Sequence, residues 1–243
     1  MSKLTVAGIG PGDRDNMTIG ADKALHEADV IVGYTVYTDL IRNDYPGKEF
    51  VTTPMTKEAE RCRIALDLAL QGKNVVLICS GDSGIYGMAA LVYELRGEAT
   101  EPEVSVIPGI TAASSGSALL GAPLTHDFAV ISLSDRLTAW ETIVSRLDHA
   151  AKADLSIVLY NPSSKGRPDH LKKACDILLR TLPPDRPCGI AHAIGREGES
   201  GKILTLGELR DTQVDMFCTV FIGNSATKVI GEKLVTPRGY HYA

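Results

Sequence analysis

Two glycine turns that each carry a carboxylate hold the residues best spaced for ligand chemistry: Gly8-Ile9-Gly10-Pro11-Gly12-Asp13 and Ser80-Gly81-Asp82-Ser83-Gly84-Ile85-Tyr86-Gly87. Glycine lets a backbone take positive φ and lets a ligand come close. Turns of this kind often bind phosphate at a helix N-terminus, but here the residue types oppose it. The third glycine position of a dinucleotide fingerprint is Asp13, whose charge repels a pyrophosphate. Gly47-Lys48, Gly72-Lys73 and Gly201-Lys202 run on into Glu49, Asn74 and Ile203, so none completes a P-loop. Both turns suit a ligand with hydroxyls, an amine and a positive centre. The alternative is two ordinary strand–helix turns with Asp13 and Asp82 as helix caps.

A third small-residue turn, Pro108-Gly109-Ile110-Thr111-Ala112, repeats the pattern. Polar residues gather further along in His126-Asp127, Ser132-Leu133-Ser134-Asp135-Arg136, Tyr160-Asn161-Pro162 and His192-Ala193-Ile194-Gly195-Arg196-Glu197-Gly198-Glu199. His126 is of the type that titrates near neutrality, and its alternative is a hydrogen-bonded residue at a hinge. The alternative for Asp135 is an N-cap of the helix expected at Ala139.

Alternating elements position these turns. Strand-like runs Leu4–Ile9, Asp29–Gly33, Glu49–Thr52, Asn74–Cys79 and Val104–Ile107 interleave with helical segments Thr18–Ala28, Thr35–Asn43, Thr56–Gln71, Ile85–Leu95 and Ile110–Leu120. Thr56 is placed to cap the third helix. Alternation of this kind predicts a parallel sheet with right-handed crossovers. Gly121-Ala122-Pro123-Leu124-Thr125 breaks the pattern. The expected fold is therefore two α/β domains, a parallel-sheet domain over 1–122 and a mixed-sheet domain over 123–243. In the second, strand-like runs Phe128–Leu133, Leu155–Tyr160, Pro187–Ile194, Lys202–Thr205 and Cys218–Ile222 crowd together late, with helices at Ala139–Ala150 and Pro168–Leu179.

The chain has 243 residues and a net charge of −5, which argues against nucleic acid as partner. Its apolar runs are short against the ~20 residues that cross a bilayer, so no membrane partner is expected. Five scattered cysteines without a Cys-x-x-Cys pair predict reduced thiols, a cytoplasmic protein and no metal site.

Gly-x-Gly-Pro-Gly near the start, the Gly81-Asp82 turn and Pro108-Gly109-Ile110-Thr111-Ala112, in that order, resemble the tetrapyrrole methylases. The resemblance extends from Leu4 to Gly223. It implies two domains with S-adenosylmethionine between them, S-adenosylhomocysteine as its product, and a homodimer. Ser132–Asp135, Leu159-Tyr160-Asn161-Pro162 and Gly195–Glu199 resemble members that methylate precorrin-3B at C-17 and contract the ring to precorrin-4 in cobalamin biosynthesis. Alternatives are the cobalt-bearing analogue, cobalt-factor III, another precorrin or uroporphyrinogen carbon, and, in a different class, a non-catalytic nucleotide-binding protein. Carried onto this chain, the resemblance puts Pro11, Gly81, Asp82, Ile85, Thr111, Ala112, Asn161 and Ala193 at the cofactor. An anionic macrocycle needs basic partners, for which Arg14, Arg136, Lys165, Arg167 and Arg196 are candidates, with Ser132 beside them. Asp13, His126 and Asp135 are the candidate proton-handling residues. Many relatives have proline where this chain has Ser83, leaving an N–H that proline lacks.

Overall fold

Apolar side chains alternate between two buried faces from the first strand onward. The structure, a computed structural model, describes residues 2–240. It divides into two compact units, Met1–Ala112 and Ala113–Ala243.

The first unit runs β1 (Lys3–Gly8), α1 (Ile19–Glu27), β2 (Val30–Tyr34), α2 (Thr35–Ile41), β3 (Glu49–Thr53), α3 (Glu58–Leu70), β4 (Asn74–Cys79), α4 (Ala89–Arg96) and β5 (Glu103–Ile107). Its sheet has the order β3-β2-β4-β1-β5, and every pairing is parallel. Leu4, Val6, Val75 and Leu77 pack with Cys62, Ala65 and Val92 of α3 and α4 on one face. Ala7, Ile9, Val76 and Ile78 pack with Ala21 and Leu25 of α1 on the other. Burial on both faces is why these strands read as continuous apolar runs. The chain leaves β1 toward β2 and leaves β4 toward β5, so the order reverses at the β1–β4 pair, where such sheets open a ligand crevice.

Two expected helix starts shift. Thr56 does not cap α3: it sits at φ 68, and the N-cap is Lys57, without a side-chain cap bond. Glu58 and Glu60 in the first turn offset the helix dipole instead. Helix α4 begins at Ala89 rather than Ile85, because the intervening loop is fastened elsewhere. The buried Ser83 donates its hydroxyl to the Ile107 carbonyl at 2.9 Å, and its own carbonyl accepts the Ala89 N–H at 3.0 Å.

The second unit contains α5 (Ala112–Leu120, entering from the first unit), β6 (Gly121–Ala122), β7 (Phe128–Ser132), α6 (Trp140–Lys152), β8 (Ser156–Tyr160), α7 (His170–Leu178), β9 (Pro187–His192), β10 (Ser200–Thr205), α8 (Leu206–Arg210), β11 (Cys218–Ile222), β12 (Lys228–Ile230) and β13 (Lys233–Val235). The main sheet, β10-β9-β11-β8-β7, is mixed as expected: only β7 and β8 run parallel. Ile190, Cys218 and Val220 face a core shared with α6, α7 and α8. On the opposite face, a Cβ at Gly116 of α5 would lie 2.8 Å from the Phe221 ring and 3.1 Å from Ala191. That packing assigns α5 to the second unit, so the division falls before the Gly121–Thr125 break rather than at it. A small sheet, β12-β13-β6, was not anticipated. Among the described residues no helix is long and apolar enough to cross a membrane. All five cysteines are free and buried, Cys62 and Cys79 in the first unit and Cys175, Cys188 and Cys218 in the second.

Candidate functional site

The three glycine turns of the first unit meet backbone to backbone. Gly10 N–H donates to Gly81 O at 3.1 Å, and Gly81 N–H donates to Gly10 O at 2.7 Å. A Cβ at Gly8 would stand 2.5 Å from Gly81 O and 2.7 Å from Gly109 N, and one at Gly109 would overlap Gly81 O. The turns after β1, β4 and β5 therefore form one continuous cradle at the carboxyl ends of adjacent strands.

Asp82 is the fastening of that cradle. One carboxylate oxygen accepts the N–H groups of Gly84 and Ile85 at 2.7 and 2.9 Å, and the other accepts Gly109 N–H at 2.9 Å. Those amides are the donors a phosphate would take, so the structure gives the non-phosphate reading a physical basis. Ile85 and Tyr86 stay exposed at the rim, while Thr111 and Ala112 follow the third turn at the start of α5. In the first turn, Asp13 accepts Asn16 N–H at 2.7 Å and the Asn16 side-chain amide at 2.8 and 2.9 Å. Pro11 lies between these bonds and the Gly10–Gly81 pair. Arg14 is drawn back onto α1, 3.3 Å from Asp22, which also accepts the Tyr45 hydroxyl at 2.6 Å.

The second unit carries a separate polar group. Asn161, at φ 54 just after β8, donates its side-chain amide to Ser132 Oγ at 2.9 Å. Ser132 Oγ also accepts Ser134 N–H at 3.2 Å. Asp135 does not cap α6, whose N-cap is Ala139 without a side-chain bond. Its carboxylate instead lies 3.1 Å from His170 Nε2 and 4.0 Å from Arg167 Nε. The His170 contact is close enough for an ion pair but not aligned as a hydrogen bond, and Arg167 Nη1 is buried without a hydrogen-bond partner. The His170 imidazole, with Arg167 behind it, holds the Asp135 carboxyl below the usual carboxylate range. The Trp140 ring meets the buried His170 edge-on at 4.8 Å.

The remaining candidates are dispersed. His126 is exposed in the connection from β6 to β7, and Arg136 and Lys165 are exposed in loops. Arg196 stacks over Phe217 at 5.7 Å, in a turn where Ala193 takes φ 49 and Gly195 N–H reaches Glu199 at 2.7 Å. Sequence reasoning missed His170, which no spacing ties to Asp135, and the Ser83 latch, where the hydroxyl rather than the N–H matters.

The family model of the Tetrapyrrole (Corrin/Porphyrin) Methylases matches residues 3–210. A Salmonella typhimurium protein named as a probable cobalt-factor III C(17)-methyltransferase is 46% identical, over 98% of this chain and 99% of its own length. A Methanocaldococcus jannaschii protein of the same name is 41% identical, over 98% and 97%. A cobalt-factor III methyltransferase of Priestia megaterium is 42% identical over 98% of this chain, which spans only 45% of that longer protein. The crystal structure of the methyltransferase CobJ superposes with a TM-score of 0.91 at 36% identity, covering 98% of this chain and all of that one. The sheet orders, the fused glycine turns and these likenesses agree: the chain belongs to the tetrapyrrole methylases and is a methyltransferase.

Proposed function

We propose that this chain methylates C-17 of a cobalt-bearing tetrapyrrole of the cobalt-factor III class, with S-adenosylmethionine as donor, in cobalamin biosynthesis. The observation that carries the substrate is the 46% identity, end to end, with the Salmonella protein of that name. This moves the preferred acceptor from metal-free precorrin-3B to its cobalt counterpart.

The cradle fits the donor. Backbone lines it, and Asp82 occupies its amides. A sulfonium with an amine and hydroxyls suits such a surface, where a phosphate does not. When bound, S-adenosylmethionine supplies a methyl group already activated for attack by carbon. The protein then has mainly to align donor and acceptor and exclude water. In this reading Pro11, Gly81, Ile85, Thr111, Ala112, Asn161 and Ala193 contact the cofactor. Asp82 acts by holding the turns together.

Arg167 offers its buried, unpartnered Nη1 to an acidic arm of the macrocycle. Arg136, Arg196 and Ser132 complete the polar set, and Arg14 drops back because Asp22 engages it. Asp135, held ionised, is a weak base, so its task is to orient the His170 ring from 3.1 Å. Asp13 remains the carboxylate of the first turn that meets substrate.

Anaerobic incubation with S-adenosylmethionine and either cobalt-factor III or precorrin-3B tests the proposal by mass spectrometry and product NMR. One methyl at C-17 of the cobalt-bearing ring is expected. Turnover confined to the metal-free ring, or a methyl on another carbon, overturns it. Binding of NAD without binding of S-adenosylhomocysteine favours the non-catalytic alternative.

A further inference from the structure

Three metal-competent side chains converge in the second unit, none of them assigned a role above, although His192 directly precedes Ala193. His192 ends β9, Cys218 begins β11, and the two are directly paired across the antiparallel ladder. Directly opposed residues share a face and bring their Cβ atoms within ~5.5 Å. Asp215 lies in the turn that leads into β11. Its carboxylate is 3.2 Å from His192 Nε2 and accepts Cys218 Sγ–H at 3.4 Å. The ring nitrogen, carboxylate oxygen and sulfur all lie within 4.8 Å of one another.

We propose that His192, Asp215 and Cys218 bind a divalent first-row cation of the zinc or cobalt(II) class. Metal–ligand lengths of ~2.0–2.3 Å place tetrahedral donors ~3–4 Å apart, so a small closure of the three groups suffices. One nitrogen, one oxygen and one sulfur donor select a borderline metal over magnesium or calcium. The cluster borders a pocket of about 510 Å³ also lined by Lys202, Thr212 and Gln213, which leaves room for water as fourth ligand. The thiolate and carboxylate together carry two negative charges against the one ammonium of Lys202. His192 and Asp215 are part exposed, giving the ion a way in, while Cys218 is buried. On binding, the Cys218 S–H bond breaks, its proton passes to solvent, and the sulfur lone pair forms the metal bond without redox change.

The site is not part of the cofactor cradle. Ala191, one residue before His192, faces α5 across Gly116, whereas Ile190 and Cys218 face the core under α6 and α7. The expectation of no metal site came from cysteine spacing alone. Strand register, not spacing, assembles this one.

The test is titration of chelator-treated protein with Co2+. A near-ultraviolet sulfur-to-cobalt charge-transfer band saturating at ~1 equivalent is expected, with visible bands of tetrahedral intensity. Zn2+ should abolish both by displacement. Cys218→Ser should remove the charge-transfer band, and His192→Ala should weaken Co2+ binding ~10–100-fold, with circular dichroism confirming that each variant is folded. Absence of the band in the folded parent protein overturns the proposal, as does its persistence in Cys218→Ser.

Discussion

The Asp82 carboxylate accepts the Gly109 N–H at 2.9 Å, fastening the turn after β4 to the turn after β5. With its second oxygen on Gly84 and Ile85, it satisfies three loop amides at once. Charge-assisted bonds of this kind are each worth ~1.5–3 kcal/mol when intact. Asp82→Ala should therefore loosen the cradle and raise the dissociation constant for S-adenosylhomocysteine ~10-fold or more, about 1.4 kcal/mol. Asp82→Asn, which keeps one acceptor oxygen, should fall between. Calorimetric titration decides it, and an unchanged constant removes Asp82 from cofactor binding.

Gly109 has no room for a side chain, since its Cβ would overlap Gly81 O. Gly109→Ala should cost ~3 kcal/mol or more of stability or unfold the first unit, as backbone overlaps do. Gly166, with nothing within 4 Å of a Cβ, is the control, and Gly166→Ala should stay within ~0.5 kcal/mol. Thermal melts of the two variants separate close approach from a general cost of losing glycine.

The Asp135 carboxyl is held below its ordinary value of 3.8 by His170 and Arg167. A carboxyl depressed in the folded state adds stability above its unfolded pKa and loses it as pH falls through the folded one. The melting temperature of the parent protein should therefore exceed that of Asp135→Asn near neutrality, and the gap should close below about pH 4. A gap that persists in acid means the pair is not what stabilises this loop.

Arg167 Nη1 is buried without a partner, so its role is read through the macrocycle rather than the cofactor. Arg167→Ala should raise the KM for the tetrapyrrole ~10-fold or more and leave that for S-adenosylmethionine unchanged. Arg167→Lys should rescue only part, because a lysine lacks the planar fork.

Asp13 already holds Asn16 through both oxygens. If it also meets substrate, Asp13→Asn should lower turnover ~100-fold or more at saturating cofactor, the lower end of the range of proton-transfer contributions. Unchanged turnover leaves it a turn-forming residue only.

The parallel sheet was legible because double burial writes itself as unbroken apolar runs, as in Asn74–Cys79. The cradle was legible as three glycine turns, but not the fastening, since no pattern says that Asp82 reaches Gly109. The late start of α4 was hidden for the same reason: Ser83 is committed to Ile107, a partner from the next strand. The allegiance of α5 depends on Gly116 meeting Phe221, and the β12-β13-β6 sheet on strands too short to show periodicity. The Asp135–His170 and His192–Asp215–Cys218 groups needed tertiary pairing to be seen at all.

The cysteines, split between the two units, make the chain its own stopwatch for opening. Burial pushes the thiols of Cys62 and Cys79 up to about 12 and 11, and that of Cys175 up to about 12. A neutral, enclosed thiol does not react with an alkylating reagent until its surroundings part. Pulse labelling read peptide by peptide would then clock each half independently. Cys62 and Cys79 report the half with the cradle, Cys175 and Cys188 the other, and added S-adenosylhomocysteine should slow the first clock.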